Sequence, residues 1–198
     1  MKSNTNNIII AGTVLTEPKT YETYGEKFYA FDMAVERKSG TVDRIPVNVP
    51  KIILNNVKVG DKLCLDGQIR TYNRRVEGAR KLVITFFAQG EYQYEEDINH
   101  VELRGFICKL PQYRVTPRNR EICDVLIAVN REGGFSDYIP CIVWGRTARL
   151  VGDLPVGTEI CIEGRLQSRE YDKTTQDGVE RRTAYEVSIN RISEPDKE

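Results

Sequence analysis

An internal repeat constrains the fold of this chain more than any single motif does. The 198-residue sequence contains segments that match one another in the same order along its two halves. Three pairs match at offsets of 93, 94 and 97 residues: IIIAGTV with VELRGFI, AVER with AVNR, and VGDKLCLDGQI with VGTEICIEGRL. The offset grows only between the matched segments, as insertions in loops require. The repeat predicts two homologous domains, residues 1–97 and 98–198, joined near the acidic stretch Tyr94-Glu95-Glu96-Asp97.

Each repeat is predicted to hold five short strands, with one short helix between the third and the fourth. Alternation of apolar and polar residues marks the strands, and glycine-rich or polar turns separate them. The predicted strands lie near residues 8–15, 27–36, 44–49, 62–71 and 81–88, and near residues 101–109, 121–130, 137–144, 159–168 and 183–192. This all-β plan is that of the OB-fold, a five-stranded Greek-key barrel whose exposed face and long loops bind oligonucleotides. The sequence therefore predicts two tandem OB-fold barrels.

The third strand of the second repeat has two unlike faces. Its period-two pattern places small apolar residues on one face and Tyr138, Pro140, Ile142 and Trp144 on the other. At a rise of ~3.3 Å per residue, the two aromatic residues stand roughly 20 Å apart. They are expected to form an extended platform, not one cluster.

The fourth strand of the second repeat alternates in the same way. One face is apolar, and the other carries Arg165, Arg169 and Tyr171. Aromatic and guanidinium groups on an open sheet face suit a polyanion whose bases stack and whose phosphates need countercharge. The formal net charge of +0 does not oppose this, because residues 98–198 hold 12 Arg and 3 Lys whereas residues 1–97 hold 6 Arg and 8 Lys. Arginine is the better residue for bidentate phosphate contacts and for stacking on bases.

The second repeat resembles the bacterial single-stranded-DNA-binding proteins. The resemblance covers essentially the whole repeat and rests on the segments TPRN (116–119), LIAVNR (126–131), SDYIPCIVWG (136–145) and IEGRLQSREY (162–171). It implies a protein that binds single-stranded DNA without marked sequence specificity, in replication, recombination or repair. It also implies that bases stack on aromatic side chains of the second, third and fourth strands.

These considerations define a predicted DNA-binding surface in the second repeat. By position, the stacking aromatics of the family fall on Phe135, Tyr138, Trp144 and Tyr171. The loop 174–182 is interpreted as a solvated hairpin loop whose basic residues would close over the DNA. The full predicted set is Phe135, Tyr138, Trp144, Arg146, Arg165, Arg169, Tyr171, Lys173, Arg181, Arg182, Arg104 and Arg131.

The first repeat is interpreted as a diverged copy that keeps the framework. No aromatic residue occupies the positions that match Tyr138 and Trp144, so a framework or oligomer-building role is expected for residues 1–97. Basic residues remain, and they predict a weaker, secondary DNA-binding set of Arg44, Arg70, Tyr72, Arg74 and Arg75.

Other interpretations stay open at this point. The aromatics Tyr138 and Trp144 would also suit a face covered by a neighbouring subunit, and Arg165 and Arg169 would suit ordinary surface ion pairs, which stabilise little. The alternative function is an OB-fold protein-interaction or replication-restart scaffold subunit that has largely lost DNA binding. An intact aromatic platform in one repeat favours binding.

The sequence does not indicate an enzyme or a cofactor. There is no glycine-rich phosphate loop, no HExxH and no GxSxG motif. Asp32, Glu36 and Asp43 are interpreted as scattered surface acids and not as a nuclease carboxylate set. The five cysteines form no CxxC pair and only one histidine is present, so neither a metal site nor a disulfide framework is expected.

Location and partners are inferred from what flanks the repeats. No transmembrane run or signal-peptide core is evident, so cytoplasm is expected. The sequence ends at ISEPDKE, without the acidic tip by which the family recruits other proteins, which favours an accessory member, as a mobile element could encode. The family assembles four OB domains, so a homodimer is expected. If the apolar run Ile8-Ile9-Ile10 pairs with the strand that carries Glu102 and Arg104, the pseudo-dimer lies within the chain and the true dimer stacks two such pairs.

Overall fold

The protein is described here by a computed structural model that covers residues 6–76, 79–93, 97–175 and 178–194. The first half contributes β1 (Asn6–Val14), β2 (Lys19–Thr23), β3 (Glu26–Glu36), β4 (Val42–Pro50), β5 (Lys62–Val76) and β6 (Ala79–Tyr92). The second half contributes β7 (Asn99–Ile107), β8 (Gln112–Val115), β9 (Glu121–Asn130), β10 (Ser136–Trp144), α1 (Arg146–Gly152), β11 (Glu159–Thr175) and β12 (Gly178–Ser193). The predicted all-β class is confirmed. The predicted link at residues 94–96 lies outside the described residues.

Five strands in each half pair into a closed circuit. In the first half β1 pairs with β3 and β5, β3 pairs with β4, β5 pairs with β6, and parallel pairing of β4 with β6 closes the circuit. In the second half β7, β9, β10, β12 and β11 repeat the same connections, again with one parallel pair, β10 with β12. Antiparallel pairing of β1 with β7 joins both circuits into one 12-stranded sheet.

The junction of β1 and β7 is symmetric with respect to the repeat. Ile8 lies opposite Val101, its own counterpart at the offset of 93 residues. Asn6 lies opposite Leu103, and Asn99, the counterpart of Asn6, lies opposite Ile10. The Ile8-Ile9-Ile10 run therefore pairs across the two halves, with residues 99–101 as its partners.

Two asparagine side chains repeat this symmetry. The Asn6 amide donates to the carbonyl oxygen of Ile69 at 2.8 Å and accepts from the Ile69 N–H at 2.9 Å. Asn99 makes the same two bonds with Leu166, at 2.6 and 2.9 Å. A side-chain amide satisfies both backbone groups at each site, so no polar group is left unpaired there on burial.

Two glycines allow the strands of each circuit to cross closely. A Cβ atom on Gly12 would lie 2.4 Å from the carbonyl oxygen of Ala34, and one on Gly105 would lie 2.5 Å from that of Ala128. These contacts are shorter than any side chain tolerates, so only glycine fits where β1 approaches β3 and where β7 approaches β9. Apolar residues of both halves then form one contiguous buried cluster.

The structure corrects two features of the predicted strands. An extra edge strand occurs in each half, β2 and β8, whose residues are all exposed and therefore show no alternation of burial. The fourth and fifth strands extend much further than predicted, so residues 174–175 and 178–182 belong to the hairpin of β11 and β12 and not to a loop. Backbone pairing holds these arms without a buried face. The tip at residues 176–177 lies outside the described residues.

The helix expected in the first half is absent from the described residues. Residues 51–53 form a turn, in which the Ile53 N–H donates to the Pro50 carbonyl oxygen at 3.0 Å. Asn56 then adopts a φ of 57°, a left-handed conformation that a right-handed helix cannot contain. In the second half α1 forms because Ala148 and Val151 bury one side of it.

Candidate nucleic-acid interface

The aromatic platform predicted on β10 is exposed. Tyr138 keeps 45% of its surface accessible and Trp144 keeps 40%, whereas Ile139, Cys141 and Val143 between them are buried. The alternation follows from the pleat of the strand, which sends successive side chains to opposite faces. Both rings can therefore be approached by a ligand.

One residue predicted on the outward face is covered. Ile142 is only 5% exposed, because β10 lies between β9 and β12 at this point of the sheet. It forms part of the floor of an open groove, together with Ile122 and Ile189. The outward face of β10 is thus a groove with an apolar floor and not a flat surface.

The groove beside the platform is lined by arginines. Its volume is about 890 Å³, and Trp144 stands at its wall. The guanidinium-bearing residues that line it are Arg37, Arg114, Arg120, Arg165 and Arg169. Only Arg165 and Arg169 belong to the predicted set. An apolar floor with cationic walls suits a chain that carries flat bases and regularly spaced negative charges.

A smaller cleft lies against the same tryptophan. It has a volume of about 490 Å³, and both Trp144 and Arg120 line it as well as the groove. At its rim Glu121 accepts hydrogen bonds from Arg149 Nε at 2.5 Å and from the Tyr113 hydroxyl at 2.8 Å. These bonds, that of Arg149 first, hold the pKa of Glu121 below its usual value. Trp144 is therefore the shared edge of two concavities.

Two further predicted aromatics lie beside arginines. The Arg131 guanidinium is 5.3 Å from the ring centroid of Phe135, which is 65% exposed. The Arg169 guanidinium is 5.6 Å from the ring centroid of Tyr171. Each pair places a cation within cation–π range of a ring, which also orients that ring for a stacking partner.

The remaining predicted cations of the second half do not line the groove. Arg104 pairs with Glu159 at 2.9 Å, Arg181 with Glu170 at 2.9 Å, and Arg182 with Glu180 at 2.5 Å. Arg146 begins α1 and is exposed, and Lys173 is exposed on the arm of β11. The groove thus gathers part of the predicted set, and the β11–β12 arm carries another part.

The secondary set in the first half divides between structure and surface. Arg70 donates to the buried carboxylate of Asp137 at 3.0 Å, so it joins the two halves instead of facing a ligand. Arg44 pairs with Asp32, at 2.6 Å. The side chains of Tyr72, Arg74 and Arg75 are exposed on the arm of β5.

Two equivalent aspartates, one from each half, are buried at the contact of the halves. Asp137 accepts from the Thr71 N–H at 2.7 Å, and the Thr71 hydroxyl accepts from the Tyr138 N–H at 2.8 Å. Its counterpart Asp43 accepts from the Ser168 N–H at 2.7 Å. Both carboxylates have no exposed surface. The interpretation of Asp43 as a surface acid is wrong, because the strand that covers it comes from the other half of the chain.

The described residues include no group of three or more metal-ligating side chains. All five cysteines are free thiols, and burial raises the pKa of Cys64, Cys123 and Cys141. Among the helices that the structure describes, none is long and apolar enough to cross a membrane.

The fold and this face define a class of all-β proteins that present aromatic rings beside an arginine-lined groove. Residues 98–194 match the model of the single-strand binding protein family. The match covers the second half of the chain, and the resemblance of this half to the single-stranded-DNA-binding proteins is confirmed.

Named relatives cover the same region. The chain is 38% identical over 82 residues to single-stranded DNA-binding protein 1 of Staphylococcus aureus, which is 38% of this chain and 49% of that protein. It is 31% identical over 99 residues to the single-stranded DNA-binding protein of Oceanobacillus iheyensis, which is 46% of this chain and 58% of that protein. The chain thus spans about half the length of the curated relatives it matches.

A solved structure covers both halves. The wild-type single-stranded DNA binding protein from Thermus aquaticus superposes with a TM-score of 0.77 over 98% of this chain and 94% of that chain, at 18% identity. A deletion variant of the same protein superposes with a TM-score of 0.75 at 19% identity. At such identity the likeness shows that the fold of the whole chain is shared.

Proposed function

We propose that this protein binds single-stranded DNA without marked sequence preference, through the face formed by β10 and β11 of its second half. The observation that carries the proposal is the exposure of Tyr138 and Trp144 beside a groove with arginine walls. The match of residues 98–194 to the model of the single-strand binding protein family supports it. Such binding would serve replication, recombination or repair.

The proposed mechanism uses two kinds of contact. Bases stack on Trp144, Tyr138, Phe135 and Tyr171, and a stacked base typically contributes about 1–3 kcal/mol in single-stranded-DNA-binding proteins. Phosphates lie against guanidinium groups of the groove and of the β11–β12 arm, with release of counterions. Every base has a flat face and every nucleotide a phosphate, so neither contact distinguishes sequences. The role is one of binding, with no bond made or broken.

The scaffold alternative receives less support from the structure. A scaffold that had lost DNA binding would have no reason to keep two large aromatic side chains uncovered on one strand. Among the described residues Arg37, Arg114 and Arg169 of the groove have ion pairs, whereas Arg120 and Arg165 have none, so the groove carries more guanidinium charge than its ion pairs use.

We also propose that each closed circuit of strands is one OB domain, with residues 1–97 chiefly a framework and residues 98–198 the main binding domain. Two copies of the chain would then bring four such domains together in a closed dimer. Light scattering at micromolar concentration should give about 45 kDa, twice the 22.7 kDa of one chain. A mass near that of one chain would contradict the dimer.

The single tryptophan of the sequence provides the direct test of binding. Titration with oligo-dT should quench Trp144 fluorescence, and anisotropy of labelled oligo-dT should report the same affinity. Affinity should fall steeply as salt is raised, because the release of counterions from the DNA contributes less free energy to binding at high salt. If both signals stay flat at low salt, the protein does not bind single-stranded DNA and the scaffold function is favoured.

A further inference from the structure

The groove of the second half is completed by residues from the first half. Arg37, at the end of β3, and Thr41 line it together with Arg165, Ser168 and Arg169 of β11. Arg37 therefore faces the same space as the arginines proposed to bind DNA, although 128 residues of sequence separate it from Arg165.

Arg37 is held in a fixed orientation. Its Nε and Nη2 atoms donate to the two carboxylate oxygens of Asp43 at 2.6 Å each. The same carboxylate accepts from the Ser168 N–H at 2.7 Å, and the Ser168 hydroxyl accepts from the Arg44 N–H at 2.9 Å. A bidentate pair fixes the plane of the guanidinium. Nη2 also donates to the Ser168 carbonyl oxygen at 3.4 Å, so Nη1 is the atom left for a further acceptor.

The hydrogen-bond donors of the Arg165 guanidinium are not all satisfied. Within the described part of the chain, its buried Nε has no hydrogen-bond partner, while its Nη2 donates to Gln167 at 3.2 Å. Burial lowers the pKa of Arg165 and the positive charge of Arg37 lowers it further, against the opposing effect of the Asp43 carboxylate. Two guanidinium groups that repel each other in a partly buried groove, one with an idle donor, are stabilised by an anion placed against both.

We propose that Arg37 of the first half and Arg165 of the second half together bind one phosphate of the DNA backbone. This inference rests on the proposed function and extends it, since the first half then supplies a DNA contact as well as a framework. The two halves form a composite site, and the second half alone lacks one of its two cations.

The repeat makes this site one-sided. The counterpart of Arg37 is Arg131, which lies 3.7 Å from the counterpart acid Asp137. The counterpart of Arg165 at the offset of 97 residues is Gln68, which carries no charge. The corresponding place in the first half therefore offers one guanidinium where the composite site offers two.

The test compares salt dependence of oligo-dT binding by the full chain and by Arg37→Gln. Loss of one phosphate contact should reduce the slope of log K against log salt by about 0.7, and should weaken binding roughly five- to tenfold at ~50 mM salt. Arg37→Lys should recover most of the slope. Arg191→Gln, which removes the same charge from an exposed pair with Glu163 outside the groove lining, should leave both quantities unchanged.

Arg37 also stabilises the contact between the halves, so a structural effect must be separated from a binding effect. Asp43→Asn keeps an oxygen acceptor for the Ser168 N–H and Arg37 Nη2 but turns an amide NH2 toward Arg37 Nε, so it loosens the contact between the halves while the guanidinium charge stays. It should lower the free energy of unfolding and keep the full salt slope of oligo-dT binding. If Arg37→Gln keeps the full salt slope, or if Asp43→Asn loses as much of the slope as Arg37→Gln does, Arg37 acts only as a structural residue and the composite site is wrong. Binding by the unaltered chain, weakened in Trp144→Ala, would in that case still uphold the proposed function.

Discussion

The two halves build the same strand framework and close it with different side chains. In the second half Ile142 lies beside Ser188 of β12, and in the first half Asn48 takes the place of Ile142 and Phe87 that of Ser188. Likewise the pair Arg114 and Ile122 corresponds to Tyr21 and Phe28. The registers are equivalent, so these differences lie in the side chains alone.

As a result, aromatic rings fill this face in the first half, whereas the equivalent face of the second half is an open groove. The rings of Tyr21 and Phe28 stack with centroids 5.3 Å apart, and Phe87 packs against Phe28 at 5.8 Å. The Tyr21 hydroxyl donates to Asn48 Oδ1 at 3.0 Å, and burial raises the pKa of this tyrosine. In the first half the rings of Tyr21, Phe28 and Phe87 contact one another, whereas among the described residues of the second half Tyr138 and Trp144 have no ring contact.

The two repeats keep the same backbone hydrogen bonding, whereas their surface side chains differ. Both halves contain an asparagine that pairs with a backbone N–H and C=O, a glycine where two strands approach closely, and a buried aspartate. Each of these residues satisfies a backbone group or meets a steric limit. The side chains that line the outward faces satisfy no backbone group or steric limit, so they could diverge into an aromatic cluster in the first half and a groove in the second.

The largest expected effect tests what the halves share. Replacing either Asp43 or Asp137 with alanine leaves a backbone N–H and an arginine without their buried partner, and should lower the free energy of unfolding by about 3 kcal/mol in each case. Urea denaturation measures it, with the exposed Glu163→Ala as control, expected within about 0.5 kcal/mol of the unaltered chain. A large loss of stability at only one of the two aspartates would show that the equivalent bonds of the two halves do not contribute equally to the free energy of unfolding.

The next effect tests what the halves do not share. Trp144→Ala and Tyr138→Ala should each weaken oligo-dT binding by about 1–3 kcal/mol, because each removes one stacking surface. Tyr72→Ala, on the exposed arm of the first half, should cost much less. Fluorescence anisotropy measures all three variants, since it does not depend on Trp144. Equal losses from Tyr72 and Trp144 would contradict the assignment of the binding face.

A third substitution makes the groove of the second half resemble the equivalent face of the first half. Ser188→Phe places in the second half the ring that Phe87 supplies in the first, and should weaken oligo-dT binding roughly fivefold, or about 1 kcal/mol, by filling the groove. Gln89→Phe, at an exposed first-half position equivalent to Asn190, is the matched control and should bind normally. Unchanged affinity of a folded Ser188→Phe protein would mean that the DNA does not enter the groove.

The smallest effect concerns acid. The pKa of Glu121 is depressed in the folded protein, so its contribution to stability is present above the usual value of 4.5 and is lost as the pH falls through the folded value. Its first-half counterpart is Lys27, so this loss belongs to the second half only. The stability difference between the unaltered chain and Glu121→Gln, measured by urea denaturation, should shrink from pH 6 to pH 3. A constant difference would rule out this contribution.

The sequence alone determined the repeat, the strand faces and the exposed platform. Alternation along a strand is a local property, so the outward direction of Tyr138 and Trp144 could be predicted without knowing which strands lie beside them. The matched offsets likewise predicted that β1 and β7 are counterparts. The resemblance to the single-stranded-DNA-binding proteins followed from contiguous segments of the second half.

Only the tertiary structure decided which side chains meet. Asp43 and Ser168 are 125 residues apart in sequence yet share a buried hydrogen bond, and Arg70 reaches Asp137 across 67 residues. Burial of Asp43, the structural use of Arg70 and the entry of Arg37 into the groove all depend on the packing of one half against the other. Periodicity describes the faces of a single strand, whereas such contacts depend on the position of a second strand that the pattern does not contain.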